Sequence, residues 1–318
     1  MKNRLRINSL LYLIAVLTIF VTTQQTLAAS HKKTVQNASL PSNPSLYILP
    51  NQALQVEQIG TAIDDLLAQN GDSDNVILYV HGRSGGEESE PGKSLTKVMP
   101  SLTKNYNAKV IMFYWPGSGD GGAKGFPKNR SQEASPALAQ TLMALQQYKQ
   151  ANRDKLKDIK FTLILHSMGN IVFEHYMRSY VQETLEKNLF DTVILNSSAT
   201  ATKDHDFWLK KVDFTPHLYV TVNDDDKVLI LAGIHEHAVR LGKSLRSEPL
   251  ASNAIYVDVT RTGVNHQYFI YSHQNNNPYL RQFYGSVMNG NNFNFEGFNG
   301  IKTVEHRDGA PIYEFKGK

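Results

Sequence analysis

Six short apolar runs recur along the chain, and segments with helical periodicity separate them. The runs are rich in β-branched and aromatic residues and cover 76–80, 110–115, 161–165, 192–195, 218–222 and 255–259. The helical segments cover 56–67, 94–106, 132–154, 170–187, 207–212, 228–245 and 278–288. Strands without polar alternation are buried on both faces, so helices must cover both. The pattern predicts a three-layer α/β fold with a mostly parallel central sheet.

The first 29 residues differ in composition from the rest of the chain. Lys2, Arg4 and Arg6 form a basic start, 10–21 is apolar, and 26–29 ends in small residues. This order is typical of a secretory signal peptide. The apolar stretch is shorter than the roughly 20 residues that span a bilayer. We therefore predict a signal peptide over 1–29 and export to the periplasm or the medium, with an uncleaved N-terminal anchor as the alternative.

The rest of the chain divides into three parts by composition. Residues 30–45 are polar, contain two prolines and are predicted to be a linker. Residues 46–290 carry the alternating pattern and are predicted to form one α/β domain. Residues 291–318 are a tail rich in Asn, Gly and Phe, in which a hairpin is one option.

Charge and cysteine content narrow the classes of function. The net charge is +4, and without the three basic residues of the leader it falls to +1. No cluster of Lys and Arg with interleaved aromatic residues is apparent, so nucleic acid is not an expected partner. The chain has no cysteine, which excludes disulfides, thiol nucleophiles and thiolate zinc ligands. We expect no stable membrane insertion once the signal is cleaved, and the oligomeric state stays open.

A polar pair follows the run 161–165, and it raises the question of a nucleophile. His166 and Ser167 are followed by Met168, Gly169 and a helical segment. A sharp strand-to-helix turn exposes a serine hydroxyl above the sheet, as a nucleophile requires. The pattern is G-x-S-x-G except for Leu165 at the first position, where a bulky side chain crowds the turn. The alternative role for Ser167 is a helix N-cap.

A serine nucleophile needs an acid and a base further along the chain. Three carboxylates, Asp224, Asp225 and Asp226, follow the run 218–222. A calcium loop is the alternative reading of the three, but no further spacing of oxygen ligands follows. The histidines beyond them are His235, His237, His266, His273 and His306. The first two fall within a helical pattern and lack the H-E-x-x-H spacing of a zinc protease.

Together these motifs resemble the α/β-hydrolase superfamily, especially its uncharacterised bacterial members with an A-H-S-M-G-N elbow and a strand ending in W-P. The resemblance covers residues 46–288. It rests on the segments VHGR at 80–83, FYWPG at 113–117, HSMGN at 166–170, NDDDKVL at 223–229 and NHQYF at 265–269.

The resemblance implies a catalytic triad of Ser167, His266 and Asp226. Superfamily members place an Asp just before an apolar pair that opens a helix, which favours Asp226 over Asp224 and Asp225. The same comparison favours His266 as the base, with His273 as the alternative.

The resemblance also implies an oxyanion hole made by the backbone amides of Arg83 and Met168. Two donors are needed because the tetrahedral intermediate carries its charge on one oxygen. The side chain of His81 is expected to bond a loop carbonyl. No metal and no cofactor are expected.

A second glycine pattern, at 117–122, matches G-x-G-x-x-G after a strand. A dinucleotide site also needs a helix that opens at once and a later strand ending in an acid. Pro127 and a polar stretch delay the helix, and the following strand ends in Ser167 instead. We interpret the segment as a loop on the rim of the site.

These features predict an exported serine hydrolase that cleaves carboxylic esters of small-molecule substrates through an acyl-enzyme. Short or medium acyl groups are expected, because the rim loops 83–93 and 117–130 are polar and 197–216 leaves no room for a cap. The alternatives are a silent binding protein on this fold, a lipase or lysophospholipase, a peptidase and an acyltransferase.

Overall fold

The apolar runs form the strands of a ten-stranded sheet in the part of the chain that the structure describes. That structure is a computed structural model, and it describes residues 43–49, 52–69, 73–83, 93–117, 126–179 and 185–317. The predicted signal peptide, nearly all of the predicted linker and most of both rim loops lie outside the described residues.

The strands match the apolar runs and add four more. They are β1 (Ser45–Leu49), β2 (Gln52–Leu54), β3 (Asn75–Val80), β4 (Lys109–Tyr114), β5 (Lys160–His166), β6 (Thr192–Asn196), β7 (Leu218–Val222), β8 (Ala254–Asp258), β9 (Ile301–Arg307) and β10 (Ala310–Phe315). The edge strand β2 and the hairpin of β9 and β10 have no strong apolar pattern, whereas β1 is apolar and begins at the last residue of the predicted linker.

The α-helices lie between the strands, mostly where periodicity predicted them. They are α1 (Ile59–Ala68), α2 (Met99–Tyr106), α3 (Lys128–Glu133), α4 (Ser135–Ala151), α5 (Arg153–Leu156), α6 (Gly169–Ser179), α7 (His205–Leu209), α8 (Lys227–His235) and α9 (Pro278–Val287). Single turns of other helix types are the 3₁₀ segments Val56–Gln58, Thr260–Thr262 and Tyr271–His273 and the π segment Ser94–Val98.

The strands run in the order β2-β1-β4-β3-β5-β6-β7-β8-β10-β9. From β4 to β10 all neighbours are parallel, whereas β1, β2 and β9 pair in the antiparallel sense. This confirms the predicted α/β fold with a mostly parallel sheet. Because parallel strands end at one edge, the segments that follow β3, β5, β7 and β8 meet there.

A separate hydrophobic core covers each face of the sheet. On one face, strand residues such as Val80 and Leu163 pack with α1, α4 and α6. On the other, residues such as Tyr79 and Ile164 pack with α2 and α9. Each fully buried side chain of this size contributes about 1.5–3 kcal/mol. The helices on one face, the sheet, and the helices on the other face are the three predicted layers, and one core lies on each side of the sheet.

The connection from β6 to β7 is short, as the sequence indicated. Residues 197–217 are all described, and they hold only the five-residue helix α7. Among the described residues, no helix is long and apolar enough to cross a membrane.

One helix is shorter than its periodicity predicted, because it ends at His235 rather than near residue 245. The following segment pairs with the loop after β6 instead: the Leu241 amide donates to the Thr200 carbonyl, and the Gly242 amide to the Ser198 carbonyl. A Cβ on Gly242 would lie 2.2 Å from the Ser198 nitrogen. These loop contacts satisfy the backbone groups that a longer helix would have used.

The C-terminal tail is part of the sheet. The strand β10 pairs in parallel with β8, and β9 closes the hairpin at the edge. Phe293, Phe295 and Phe315 join the core that also contains α9. Composition alone gave this segment no role, and its role is to extend and cover the sheet.

Candidate active site

The turn between β5 and α6 holds Ser167 in an unusual backbone conformation. Its φ is +52°, in the left-handed region that costs a non-glycine residue roughly 1–2 kcal/mol. The Ser167 amide donates to the Asn196 carbonyl at 3.1 Å, and the Ser167 carbonyl accepts from the Ala199 amide at 3.1 Å. These bonds hold the strained turn in place, which is the arrangement expected at a functional residue.

The turn is tight because two glycines let backbone segments approach each other. A Cβ on Gly82 would lie 2.8 Å from the Cβ of Ser167. A Cβ on Gly169 would lie 2.6 Å and 2.7 Å from the carbonyl oxygens of Val80 and His81. The loop after β3 is therefore packed directly on the serine turn.

Leu165 occupies the elbow position that usually holds a small residue, and the fold accommodates it. Its side chain is fully buried and belongs to the core on the α6 side of the sheet. In the sheet it pairs with Val80 on one side and Leu195 on the other. The bulk of Leu165 is thus placed in the core and not in the turn.

Of the three adjacent carboxylates, Asp226 contacts a histidine. His266 Nδ1 lies 2.7 Å from Asp226 Oδ2. The other oxygen, Oδ1, accepts the amides of Val228 and Leu229 at 3.0 Å and 3.1 Å, which caps α8. Asp226 is fully buried, so these donors replace the water that a carboxylate needs.

The neighbouring carboxylates face elsewhere. Asp224 is exposed and forms an ion pair with Lys243, and its amide donates to the Thr260 hydroxyl. Asp225 is also exposed, and its amide donates to the side chain of Asn223.

Among the described residues, none of the other histidine candidates forms a hydrogen bond or an ion pair with Asp226. His273 ends an exposed 3₁₀ turn, and His235 contacts Glu236 at the end of α8. His237 lies just beyond α8, with a φ of +51°, and His306 lies in the edge strand β9.

The side chain of His81 is a structural element of the loop after β3. Its Nε2 accepts the Trp115 amide at 3.1 Å, so Nδ1 carries the proton and donates to the Gly82 carbonyl at 2.6 Å. Burial lowers the pKa of His81 to about 4, although the hydrogen bond that Nδ1 donates to the Gly82 carbonyl opposes the shift. A neutral imidazole with both nitrogens engaged fixes the loop and is not free for proton transfer.

The two residues expected to donate to an oxyanion follow these close contacts. Met168 comes directly after Ser167 in the turn and is buried. Arg83 comes directly after Gly82, which packs on Ser167, and its side chain is partly buried.

Sequence reasoning missed a group of buried polar residues behind the serine turn. The Asn196 amide nitrogen donates to His166 Nδ1 and to the Ser197 hydroxyl, and its oxygen accepts the Tyr284 hydroxyl at 2.6 Å. The His166 ring lies 4.7 Å from the His266 ring, and burial lowers its pKa well below the usual value. The sequence feature that could have indicated this group is the run of polar residues 196–198, directly after the apolar run 192–195.

The described residues contain no group of three or more His, Cys, Asp and Glu side chains arranged as metal ligands. What they bring together at the carboxyl edge of the sheet is a strained serine, a histidine bonded to a buried carboxylate, and a tightly packed glycine loop. Nucleophilic attack assisted by a base uses side chains of these types.

A family described as "Alpha/beta hydrolase of unknown function (DUF900)" matches residues 59–275. No curated protein sequence matches the chain significantly. Two similar solved structures are esterases. Carboxyl esterase 2 of the fungus Tuber melanosporum is 14% identical over 70% of this chain and 79% of its own, with a TM-score of 0.40. An esterase of the archaeon Pyrobaculum calidifontis is 13% identical over 69% and 78%, with a TM-score of 0.36.

A third similar structure is an α/β serine hydrolase homologue from Coxiella burnetii. It is 12% identical over 68% of this chain and 86% of its own, with a TM-score of 0.32.

Proposed function

The chain belongs to this family of α/β hydrolases, and from that premise we propose that it is an exported serine carboxylesterase. The observation that carries the proposal is the 2.7 Å contact between His266 Nδ1 and the buried Asp226. It lies at the sheet edge where the strained turn presents Ser167. The substrate is a small-molecule ester with a short or medium acyl group.

In the proposed reaction, Ser167 Oγ attacks the ester carbonyl while His266 Nε2 takes the hydroxyl proton. The backbone amides of Met168 and Arg83 stabilise the charge on the carbonyl oxygen. The protonated His266 returns its proton to the leaving alcohol, and the acyl group stays on Ser167. Water then attacks the acyl-enzyme with His266 as the base and releases the acid.

Asp226 has a separate part in this scheme. Its Oδ2 accepts the Nδ1 proton of His266, which leaves Nε2 as the nitrogen that faces proton transfer. Its other oxygen is bound by two amides of α8, so the carboxylate cannot rotate without losing them.

The proposal includes export, which depends on the sequence of residues 1–29 alone. The basic start, short apolar stretch and small-residue end support it. Fractionation of the native host tests it. If the protein accumulates in the cytoplasm with its first 29 residues still attached, export is contradicted.

Labelling with a serine-directed fluorophosphonate tests the nucleophile. We expect the wild-type protein to be labelled at Ser167, as located by peptide mass spectrometry. Ser167→Ala should not be labelled, whereas the control Ser198→Ala should be labelled like the wild type. An unlabelled wild-type protein that folds normally would support the silent binding protein instead.

One observation favours a second candidate, a hydrolase that acts at lipid surfaces. Val228, Leu231 and Ile234 are 50%, 62% and 67% exposed, and all three lie on α8, which starts just after Asp226. Apolar side chains grouped in this way are typical of an interaction surface.

A series of esters with increasing acyl length, assayed below and above micelle formation, separates the two candidates. The proposed esterase has its highest kcat/KM on short or medium chains and no rise in rate at the interface. A preference for long chains with interfacial activation would identify a lipase or lysophospholipase.

A further inference from the structure

Ser197, the residue directly after β6, has a second strained backbone near the candidate site. Its φ is +46°, and its side chain is fully buried. A left-handed backbone at a buried non-glycine residue costs of order 1–3 kcal/mol and persists only where its surroundings impose it. The hydrogen bonds of the Ser197 hydroxyl indicate a role for this strained conformation.

That hydroxyl links the end of β6 to the loop that carries His266. The Ser197 hydroxyl lies 2.7 Å from the His266 carbonyl oxygen, and since a carbonyl can only accept, the serine is the donor. Ser197 Oγ in turn accepts from the side-chain amide of Asn196 at 3.0 Å. The orientation of that amide is set by the Tyr284 hydroxyl, which donates to the Asn196 oxygen at 2.6 Å.

The same strand end also holds the serine turn. The Asn196 carbonyl accepts the Ser167 amide at 3.1 Å, and the Asn196 side chain lies 3.3 Å from His166 Nδ1. Ser167 follows β5 and His266 follows β8, so these two residues are carried by separate segments. The Asn196–Ser197 pair lies between them and makes a direct hydrogen bond to each.

We infer that Ser197 is a positioning residue that fixes the main chain of His266 relative to Ser167. The inference rests on the proposed function, because it assigns the base to His266 and the nucleophile to Ser167. Displacing a base by about 1 Å can lower a rate on the order of 10²-fold. A hydrogen bond to the backbone of His266 prevents such a displacement without any contact with substrate.

Ser197→Gly tests the inference, because glycine accepts a positive φ while the hydroxyl is lost. We expect kcat to fall about tenfold to hundredfold with KM changed less than about twofold, since only the alignment of the base is affected. The rate of fluorophosphonate labelling should fall with kcat. The second variant, Ser197→Ala, retains a Cβ and should show the same loss.

The matched control is Ser198→Ala, which removes the next buried hydroxyl along the chain. Ser198 Oγ bonds the Thr200 hydroxyl at 2.8 Å and not the His266 loop. We expect Ser198→Ala to retain kcat, and the unfolding midpoint of all three variants is measured so that a loss of fold is recognised.

A readout independent of turnover is the downfield proton NMR signal of the hydrogen bond between His266 Nδ1 and Asp226. The signal should be sharp in the wild type and in Ser198→Ala, and broadened or absent in both Ser197 variants. Wild-type kcat and a sharp signal in Ser197→Gly would overturn the inference, as would equal losses in Ser198→Ala. If the wild-type protein is not labelled at Ser167, the proposed function fails, while the NMR comparison still decides whether Ser197 positions His266.

Discussion

At the scale of single residues, burial and bonding distinguish the three carboxylates after β7. Asp226 is fully buried and bonded by two amides and an imidazole, whereas the side chain of Asp224 is 61% exposed beside Lys243. An exposed ion pair of this kind contributes about 0–1 kcal/mol. The buried carboxylate has partners on both oxygens, so replacing it affects the histidine directly.

We predict that Asp226→Asn lowers kcat by about 10⁴-fold, because an amide favours the wrong tautomer of His266. Asp224→Asn, two residues away, is the control and should change kcat less than about threefold, since its exposed ion pair is worth little.

Ser167→Ala and His266→Ala should abolish turnover. Steady-state kinetics on one short-chain ester measure all four, and a severe loss confined to Asp224→Asn would reassign the acid. Full activity of His266→Ala would move the base to His273.

The buried His81 predicts a loss of stability in acid. In the unfolded chain its imidazole takes up a proton near pH 6.5, but in the folded protein the pKa is about 4. Between these values the unfolded state binds more protons, so the free energy of unfolding falls as the pH falls from 6.5 to 4. The loss of unfolding free energy that His81 causes is about 3 kcal/mol in total, and it has been reached in full below pH 4.

Urea unfolding at several pH values measures this effect. The slope of stability against pH between 6.5 and 4 should be smaller in His81→Asn, which cannot titrate there. The buried His166, with a lowered pKa, adds to the wild-type slope in the same direction. An unchanged slope in His81→Asn would show that His81 is not the titrating group.

At the scale of secondary-structure elements, the close approach of the β3 loop and α6 builds the serine turn. Gly169 begins α6 directly beneath the carbonyls of Val80 and His81. No side chain fits between them, so the start of the helix and the loop hold one another in place. The turn depends on the geometry of two elements as much as on Ser167.

We predict that Gly169→Ala destabilises the protein by about 1–3 kcal/mol, because its Cβ would force the backbone apart. It should also slow fluorophosphonate labelling of Ser167. Gly285→Ala is the control: it lies within α9 with its nearest contact, the Tyr271 hydroxyl, at 3.5 Å. Alanine is the better helix former by about 1 kcal/mol, so this variant should be stabilised. Equal melting temperatures of the two variants would contradict the packing argument.

At the scale of the whole molecule, the C-terminal hairpin closes the core beside β8. The Phe315 ring lies 5.6 Å from the Phe283 ring of α9, and β10 continues the sheet that carries the candidate site. The last strands are therefore part of the folding unit, although their sequence lacks a strong apolar run.

We predict that Phe315→Ala lowers the free energy of unfolding by about 3–5 kcal/mol, the usual cost of removing a buried phenylalanine. Val304→Ala, in the exposed edge strand of the same hairpin, should cost less than about 1 kcal/mol. Denaturant unfolding measures both. A cost for Phe315→Ala as small as that of Val304→Ala would mean that the hairpin does not stabilise the sheet.

The sequence by itself determined the central strands, most helices and the order of the motifs along the chain. It could do so because an apolar run such as 161–165 is driven out of water by its own composition, and it is buried in the folded chain. A polar pair that directly follows such a run lies at the end of the strand. Because local composition carries that information, the α/β fold and Ser167 as the candidate nucleophile could be predicted without knowledge of any tertiary contact.

Tertiary structure alone decided where α8 ends and that the tail extends the sheet, and it showed the contact between Asp226 and His266 that the family resemblance had only favoured. Asp224 and Asp226 have the same side chain, and only their surroundings give one a buried position and the other a lysine. The helix ends at His235 because Gly242 packs on the loop after β6, about 45 residues earlier in the chain. Such contacts join distant segments, so no local pattern encodes them.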